Sequence, residues 1–162
     1  MSESVRPVPE GFHTLTPYLT VRDAPGAMAF YCRAFGAEEL VRIPGPDGRL
    51  LHACLRIGDS MLMLTEEFPE FGGKSPQALG GTPLTVHIYV DDVDSAWSRA
   101  VNAGCQVVMP LADAFWGDRF GCLIDPFGHR WSLASQIRSL TPEQIRQAAA
   151  EIDFSAGCGA EG

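Results

Sequence analysis

Residues 118–134 read DRFGCLIDPFGHRWSLA, two strand-like runs joined by a short turn. Asp125, Pro126, Phe127 and Gly128 supply that turn. Proline fixes φ at about −65° in the second turn position, and glycine accepts a positive φ in the fourth. The stretch therefore predicts a β-hairpin. From His129 onward the residues alternate, with Trp131 and Leu133 on one face and Arg130, Ser132 and Ala134 on the other. That is the period of a half-buried strand, so one face packs and the other looks into open space.

The segments before this hairpin extend it into a repeating pattern. Residues 12–21 read as a strand. Residues 23–35 read as a helix with Asp23 at its N-cap, Pro25 in its first turn and Gly36 closing it. A strand at 38–43, the PGPDG loop at 44–48 and a hairpin of 51–57 and 61–65 across Gly58 and Asp59 complete a βαβββ unit. Then 84–90 reads as a strand, 92–103 as a helix ended by Gly104, and 105–109 as a strand leading to the opening hairpin. The order is βαβββ again. Leu15, Thr16 and Val21 match Leu84, Thr85 and Val90 at an offset of 69, as Met61 to Leu64 matches Arg130 to Leu133; Cys54 and Cys122 match at 68. A repeated unit that leaves one sheet face uncovered must share a core with its copy.

The expected organisation is a flexible N-terminus at 1–11, modules at 12–65 and 84–136, a connector at 66–83, a C-terminal helix at 137–154 and a disordered tail at 155–162. The connector holds four Gly and three Pro and predicts a flexible crossover or a lid. In SLTPEQIRQAAAEI, Thr141 is the expected N-cap and Pro142 the first helical residue. Leu140, Ile145, Ala148, Ala149 and Ile152 form a narrow apolar stripe that is expected to dock on the domain or on a partner.

At 162 residues and 46% hydrophobic content the chain has enough material for one substantial core. A net charge of −8, a pI near 4.8 and a single lysine, Lys74, argue against nucleic acid as a partner. No window approaches the ~18 apolar residues of a membrane span and the N-terminus lacks a signal-like apolar run, so the expected setting is the cytoplasm with no membrane partner. Five cysteines show no CxxC spacing. Cys32, Cys54, Cys105 and Cys122 fall in apolar segments and read as small buried thiols, whereas Cys158 in SAGCGAEG is expected to be exposed.

LTPYLTV with the FYCRAFGA helix end, LTVHIYVDDVDSAW and the WGDRFGCLIDPFGHRWSL hairpin resemble the vicinal oxygen chelate superfamily of glyoxalases, bleomycin-resistance proteins and extradiol dioxygenases. The resemblance covers about residues 12–136. It implies an α+β fold in which two βαβββ modules form a cup-shaped, eight-stranded mixed sheet, here with a C-terminal helix added. It also implies a homodimer and a ligand in the cup. Enzymes of that superfamily hold a divalent metal with His, Glu or Gln at four positions, which fall here on Thr16, Met63, Thr85 and Ser132. Hydroxyls are weak neutral donors and a thioether prefers soft ions, so no metal and no cofactor are expected at this site.

Strand parity then gives the cup lining: Thr16, Tyr18 and Thr20; Thr85, His87 and Tyr89; Arg130, Ser132 and Ala134; Met61, Met63 and Thr65; His52, Cys54 and Arg56; and Phe120 with Cys122. Leu15, Leu19, Val21, Leu62, Leu64, Val86, Ile88, Val90, Trp131 and Leu133 are expected on the packing face. The ligand-binding candidates are Thr16, Tyr18, His52, Met63, Thr85, His87, Tyr89, Phe120, Arg130 and Ser132. His87, central on its face, is the candidate for proton transfer as well as for hydrogen bonding. Phe115, Trp116 and Phe120 read either as a closure over an apolar ligand or as a hydrophobic plug at an interface. Arg119 and Arg130 are expected to meet a ligand carboxylate or Asp118 and Asp125. Glu66 and Glu67 are expected as a solvated strand end, and His129 to meet water. Two functions follow: a metal-free small-molecule-binding protein of the bleomycin-resistance kind, or a lyase, isomerase or dioxygenase using an unorthodox metal site or cofactor-free acid–base chemistry at His87.

Overall fold

The computed structural model describes residues 5–153; Cys158 and the tail at 155–162 lie outside them. The DPFG turn closes through the Gly128 N–H donating to the Asp125 carbonyl at 3.1 Å, with Gly128 at φ 85°. The Asp125 carboxylate also accepts the backbone N–H groups of Phe127 and His129. The turn joins β7, Asp118–Ile124, to β8, Arg130–Gln136.

Ahead of it come β1 (Tyr18–Val21), α1 (Ala24–Phe35), β2 (Glu38–Pro44), β3 (Leu50–Ile57), β4 (Ser60–Glu66), α2 (Pro76–Leu79), β5 (Thr85–Tyr89), α3 (Val93–Ala103) and β6 (Gln106–Asp113); α4 (Pro142–Ala150) follows. The sheets have the orders β1-β4-β3-β2 and β5-β8-β7-β6. In each, the first pair is parallel and the others antiparallel. The expected α+β fold of two βαβββ modules is thus present, its eight strands divided into two four-stranded mixed sheets. Tyr18 pairs with Met63 and His87 with Ser132. Both partners are displaced by 69 residues (18 to 87, 63 to 132), so the sequence repeat is also a repeat of register.

One core runs through both modules, from Leu19, Leu55 and Leu64 of the first sheet to Leu123, Trp131 and Leu133 of the second, with α1 and α3 against it. Ala27, Met28, Phe30, Tyr31, Ala34 and Phe35 of α1 are buried, and α3 contributes Val93, Ala96 and Ala100. Trp131 of β8 is 0% exposed, with its ring 5.2 Å from that of Tyr31 and 4.4 Å from that of Phe35. Burying side chains of this size contributes about 1.5–3 kcal/mol each. Asp125 fixes the arrangement by accepting the Tyr31 hydroxyl at 2.7 Å and the Trp131 indole N–H at 2.8 Å.

Several expectations are corrected. Leu15 does not pack under the helices: it precedes β1 and is 87% exposed. β6 runs well past Met109, with register shifts against β7 that accommodate Pro110. Glu66 is not a solvated strand end, because its two carboxylate oxygens accept the backbone N–H groups of Asp23 and Ala24 and so cap α1. Glu67 holds Arg22 and the Ser75 N–H. That contact helps fasten the connector, which contains a 3₁₀ turn at Pro69–Phe71 and α2 and buries Ser75 and Pro76. The connector crosses from β4 to β5 with Ser75 and Pro76 as its buried anchor and most of its other residues exposed. His129 is buried and bonds the Thr20 carbonyl of β1 at 2.9 Å through Nε2, a tie between modules where water was expected. Arg119 pairs with Asp94 and Asp113, away from Asp118 and Asp125. The thiols of Cys54 and Cys105 are buried, whereas those of Cys32 and Cys122 are half-buried. α4 forms with the expected cap, Thr141, in a capping box with Gln144, and buries no residue within the chain.

Candidate functional site

In each sheet the face turned from the core carries the polar and aromatic side chains, because strand pairing keeps residues in register on one side. Tyr18, Met63 and Cys54 stand across β1, β4 and β3, with His52 two residues from Cys54. His87, Ser132 and Cys122 stand across β5, β8 and β7, with Phe120 two residues from Cys122. By the repeat, His87 replaces Tyr18 and Phe120 replaces His52.

These equivalent positions hold a ring pair in each sheet. The Tyr18 hydroxyl meets Nδ1 of His52 at 3.0 Å, with the rings edge-to-face at 5.6 Å. His87 stacks on Phe120 at 6.0 Å and meets the edge of Tyr89 at 4.6 Å. Trp116 lies 5.3 Å from Phe120 and edge-to-face with Phe115 at 5.0 Å, so the aromatic loop joins this cluster. Buried Asp118 anchors the group by accepting the Tyr89 hydroxyl at 2.8 Å and the Trp116 indole N–H at 2.9 Å. That role of Asp118 is not among the sequence expectations. The signal available was a carboxylate placed two residues after an indole and on the side of β7 that carries Phe120.

Nδ1 of His87 is 2.6 Å from the Ser132 hydroxyl. That contact leaves Nε2 as the ring's outward polar atom. His87 is exposed over part of its surface, and the partial loss of hydration on its covered side lowers its pKa from the usual histidine value against a smaller upward pull from Asp118, which leans the ring toward the neutral imidazole. The hydrogen bond to Asp118 raises the Tyr89 pKa. Burial raises the thiol pKa of Cys54 and of Cys122, which makes both poor nucleophiles at neutral pH. Ser132 and Ala134 are themselves buried, so the centre of β8 is covered on both sides.

Thr16 and Thr85 line one open hollow of about 340 Å³, together with Pro17, Leu84 and His87. A second hollow of about 260 Å³ reaches from Leu15 and Met61 past Val86 and Ile88 to Trp131. The lead-in to β1 and the start of β5 therefore border a common groove at the seam of the two sheets. Arg130 stands beside Thr85 in register. The structure thus groups Tyr18, His52 and Met63 in one sheet, groups His87, Tyr89, Phe120 and Ser132 in the other, and brings Thr16 to Thr85 at the seam.

The positions that hold metal in the resembled enzymes carry weak donors here. Thr16, Thr85 and Ser132 offer neutral hydroxyls, one of them engaged by His87, and Met63 offers a thioether. This donor set does not fit the hard or borderline divalent ions that imidazoles and carboxylates hold. No cluster of three or more His, Cys, Asp or Glu among the described residues could hold an ion elsewhere.

Paired βαβββ modules with ring-bearing open faces and a groove at their seam define a two-module protein of the glyoxalase type. The sequence profile of the Glyoxalase/Bleomycin resistance protein/Dioxygenase superfamily matches residues 11–133, and the chain belongs to that superfamily. It is 51% identical over 137 residues to the uncharacterized protein Rv0887c of Mycobacterium tuberculosis, covering 83% of this chain and 81% of that one. Among solved structures it resembles TioX from Micromonospora sp. ML1, with 29% identity, TM-score 0.63 and coverage of 76% of this chain and 98% of that one. It also resembles TnmS3, an antibiotic binding protein from Streptomyces sp. CB03234, with 25% identity, TM-score 0.57 and coverage of 76% and 95%. No helix among the described residues is long and apolar enough to cross a membrane.

Proposed function

We propose that this chain is a small-molecule-binding protein that takes a planar aromatic or amphipathic ligand across the open faces of its two sheets without a metal. The carrying observation is the placement of the ring pairs Tyr18–His52 and His87–Phe120 at equivalent positions of the repeat. Rings fixed in advance lose little freedom when a flat ligand stacks on them. The similarity to an antibiotic binding protein supports the same reading. Thr16 and Thr85 supply hydroxyls at the seam, and Met63 a deformable apolar contact.

The protein acts in this reading as a cytoplasmic homodimer. Exposed Leu40, Val41 and Ile43 in one sheet, and Val107, Val108 and Met109 in the other, give a second copy apolar surface to cover. Reduced thiols such as Cys54 persist in that compartment. The competing reading is cofactor-free acid–base catalysis, favoured by the short His87–Ser132 contact and the depressed His87 pKa.

A thermal-shift screen of polycyclic aromatic antibiotics and dyes, with metal analysis of the same preparation, tests the proposal. The expected result is a stoichiometric complex at less than one equivalent of metal, weakened by Tyr18→Ala and by Phe120→Ala, with the ligand recovered unchanged. Stoichiometric metal bound at the seam would overturn the metal-free reading, and turnover of the ligand lost in His87→Gln would favour the enzyme.

A further inference from the structure

The open faces of the two sheets match in their rings and differ in their charge. At the position where the first module has Met61, the second has Arg130, displaced by the repeat offset (61 to 130). Arg130 lies in register between Thr85 and Ile124 and on the same side of β8 as Ser132. It is half-buried, and among the described residues it has no ion pair. Arg6, Arg33, Arg99 and Arg138 also lack an ion pair, but Arg6 is exposed, Arg33 lies over the Phe30 ring, and Arg99 and Arg138 donate to the Ala34 and Ala114 carbonyls. Arg22, Arg42, Arg49, Arg56, Arg119 and Arg146 each hold a carboxylate. Arg56, the other arginine on this side of the sheets, is neutralised by Glu38 at 2.6 Å. Around Arg130 the same face offers Thr85, His87, Ser132, Cys122 and Ile124, none of them acidic. The nearby cation pulls the Cys122 thiol pKa down against the upward effect of burial, so its charge reaches the floor of the site.

Covering part of an arginine that has no counter-ion costs some of its hydration without compensation. An incoming anion recovers that cost, and a planar carboxylate matches the guanidinium fork through two parallel hydrogen bonds. The distribution of charge also sets the ligand's direction. Its rings span the stacking pairs, its acidic group points to the Arg130 end of the second sheet, and its apolar end lies toward Met61.

We propose that Arg130 makes this site selective for aromatic ligands bearing an anionic group, a carboxylate foremost, which it binds alongside the Thr85 hydroxyl. This inference rests on the ring-stacking reading above and adds the ligand's charge class and orientation.

The test uses benzoate, naphthoate and anthracene-carboxylate, each against its own amide, by isothermal titration of the full chain. The acids of the ring size that binds are expected to bind at least about tenfold tighter than their amides, the scale of one charge-assisted bidentate contact. Arg130→Gln should bring acid and amide within about twofold of each other, and Arg130→Lys should keep part of the preference, since it retains charge without the fork. Arg119→Gln, which breaks only the pairs with Asp94 and Asp113, should leave the preference intact; melting curves establish that each variant is folded. If acid and amide bind the parent equally, or if the preference survives Arg130→Gln, the anion assignment is overturned while ring stacking stands. If no probe of any ring size binds, the ring-stacking reading fails and the anion assignment fails with it.

Discussion

Asp125 is 3% exposed and has no cation beside it among the described residues, yet its carboxylate is held by the Tyr31 hydroxyl, the Trp131 indole and the Phe127 and His129 amides. A carboxylate with that many donors is stable inside a core, and its removal strands every donor at once. Asp125→Ala is expected to cost about 3–5 kcal/mol in urea unfolding. Asp125→Asn, which keeps one acceptor oxygen and turns an amide N–H toward a donor, should fall between Ala and the parent. Burial, with the same carboxylate adding to it, pushes the Cys105 thiol up to about 12, so alkylation of that thiol in the native protein should be very slow. His87 gives a pH test of opposite character. Its folded pKa lies below the unfolded value of 6.5, so the unfolded chain takes up the proton first as pH falls. The stability that depends on neutral His87 is present above pH 6.5 and lost as pH drops through the depressed folded value. The denaturant midpoint should therefore decline less between pH 7 and pH 5 in His87→Gln than in the parent, and identical slopes would show that His87 is not desolvated.

Elements were readable in the sequence wherever one face packs and local caps close the ends. The alternation in β8, the Asp23 cap and Pro25 of α1, Gly36, Gly104 and the Thr141 cap each state their role within a few residues. The repeat gave the register of both sheets, including which residues share a face with His87 and Tyr18. Contacts that join distant segments were not readable. Glu66 follows Thr65 in a strand, and nothing local says that its carboxylate reaches back to cap α1; His129 likewise gives no local sign that it bonds the Thr20 carbonyl. Leu15 misled because it matches Leu84 by the repeat, although β1 begins only at Tyr18. The Gly and Pro of the connector give no local sign that Pro76 seats against Gly128, where an added Cβ would lie 2.8 Å from it. Glu66→Ala, which exposes two helix-terminal N–H groups, is expected to cost about 1–2 kcal/mol. Gly128→Ala, which combines a φ of 85° with that contact, should cost at least about 1–2 kcal/mol. Equilibrium unfolding of the two variants separates the cap from the turn, and a neutral Gly128→Ala would mean that the connector does not rest on the hairpin.

At the scale of the whole molecule, the two sheets share one core and are expected to unfold together. Helix α1 belongs by sequence to the first module, but its Tyr31 and Phe35 enclose Trp131 of the second, while Arg99 of α3 donates to the Ala34 carbonyl. His129 adds a bond from the second module to β1. A module that opened alone would expose Trp131 and strand the donors around Asp125, a cost that ties each module's stability to the other. Native-state hydrogen exchange should therefore find the slowest amides of β3–β4 and of β7–β8 exchanging with the same opening free energy, equal to that from denaturant unfolding. Trp131→Ala, expected to cost about 3–5 kcal/mol as a large aromatic removed from a core, should lower protection in both hairpins by the same amount even though the substitution lies in only one. If protection falls in β7–β8 alone, the modules are stable separately. The seam groove between Thr16 and Thr85 would then be free to open and close, and the ring pairs would meet a ligand as two moving plates.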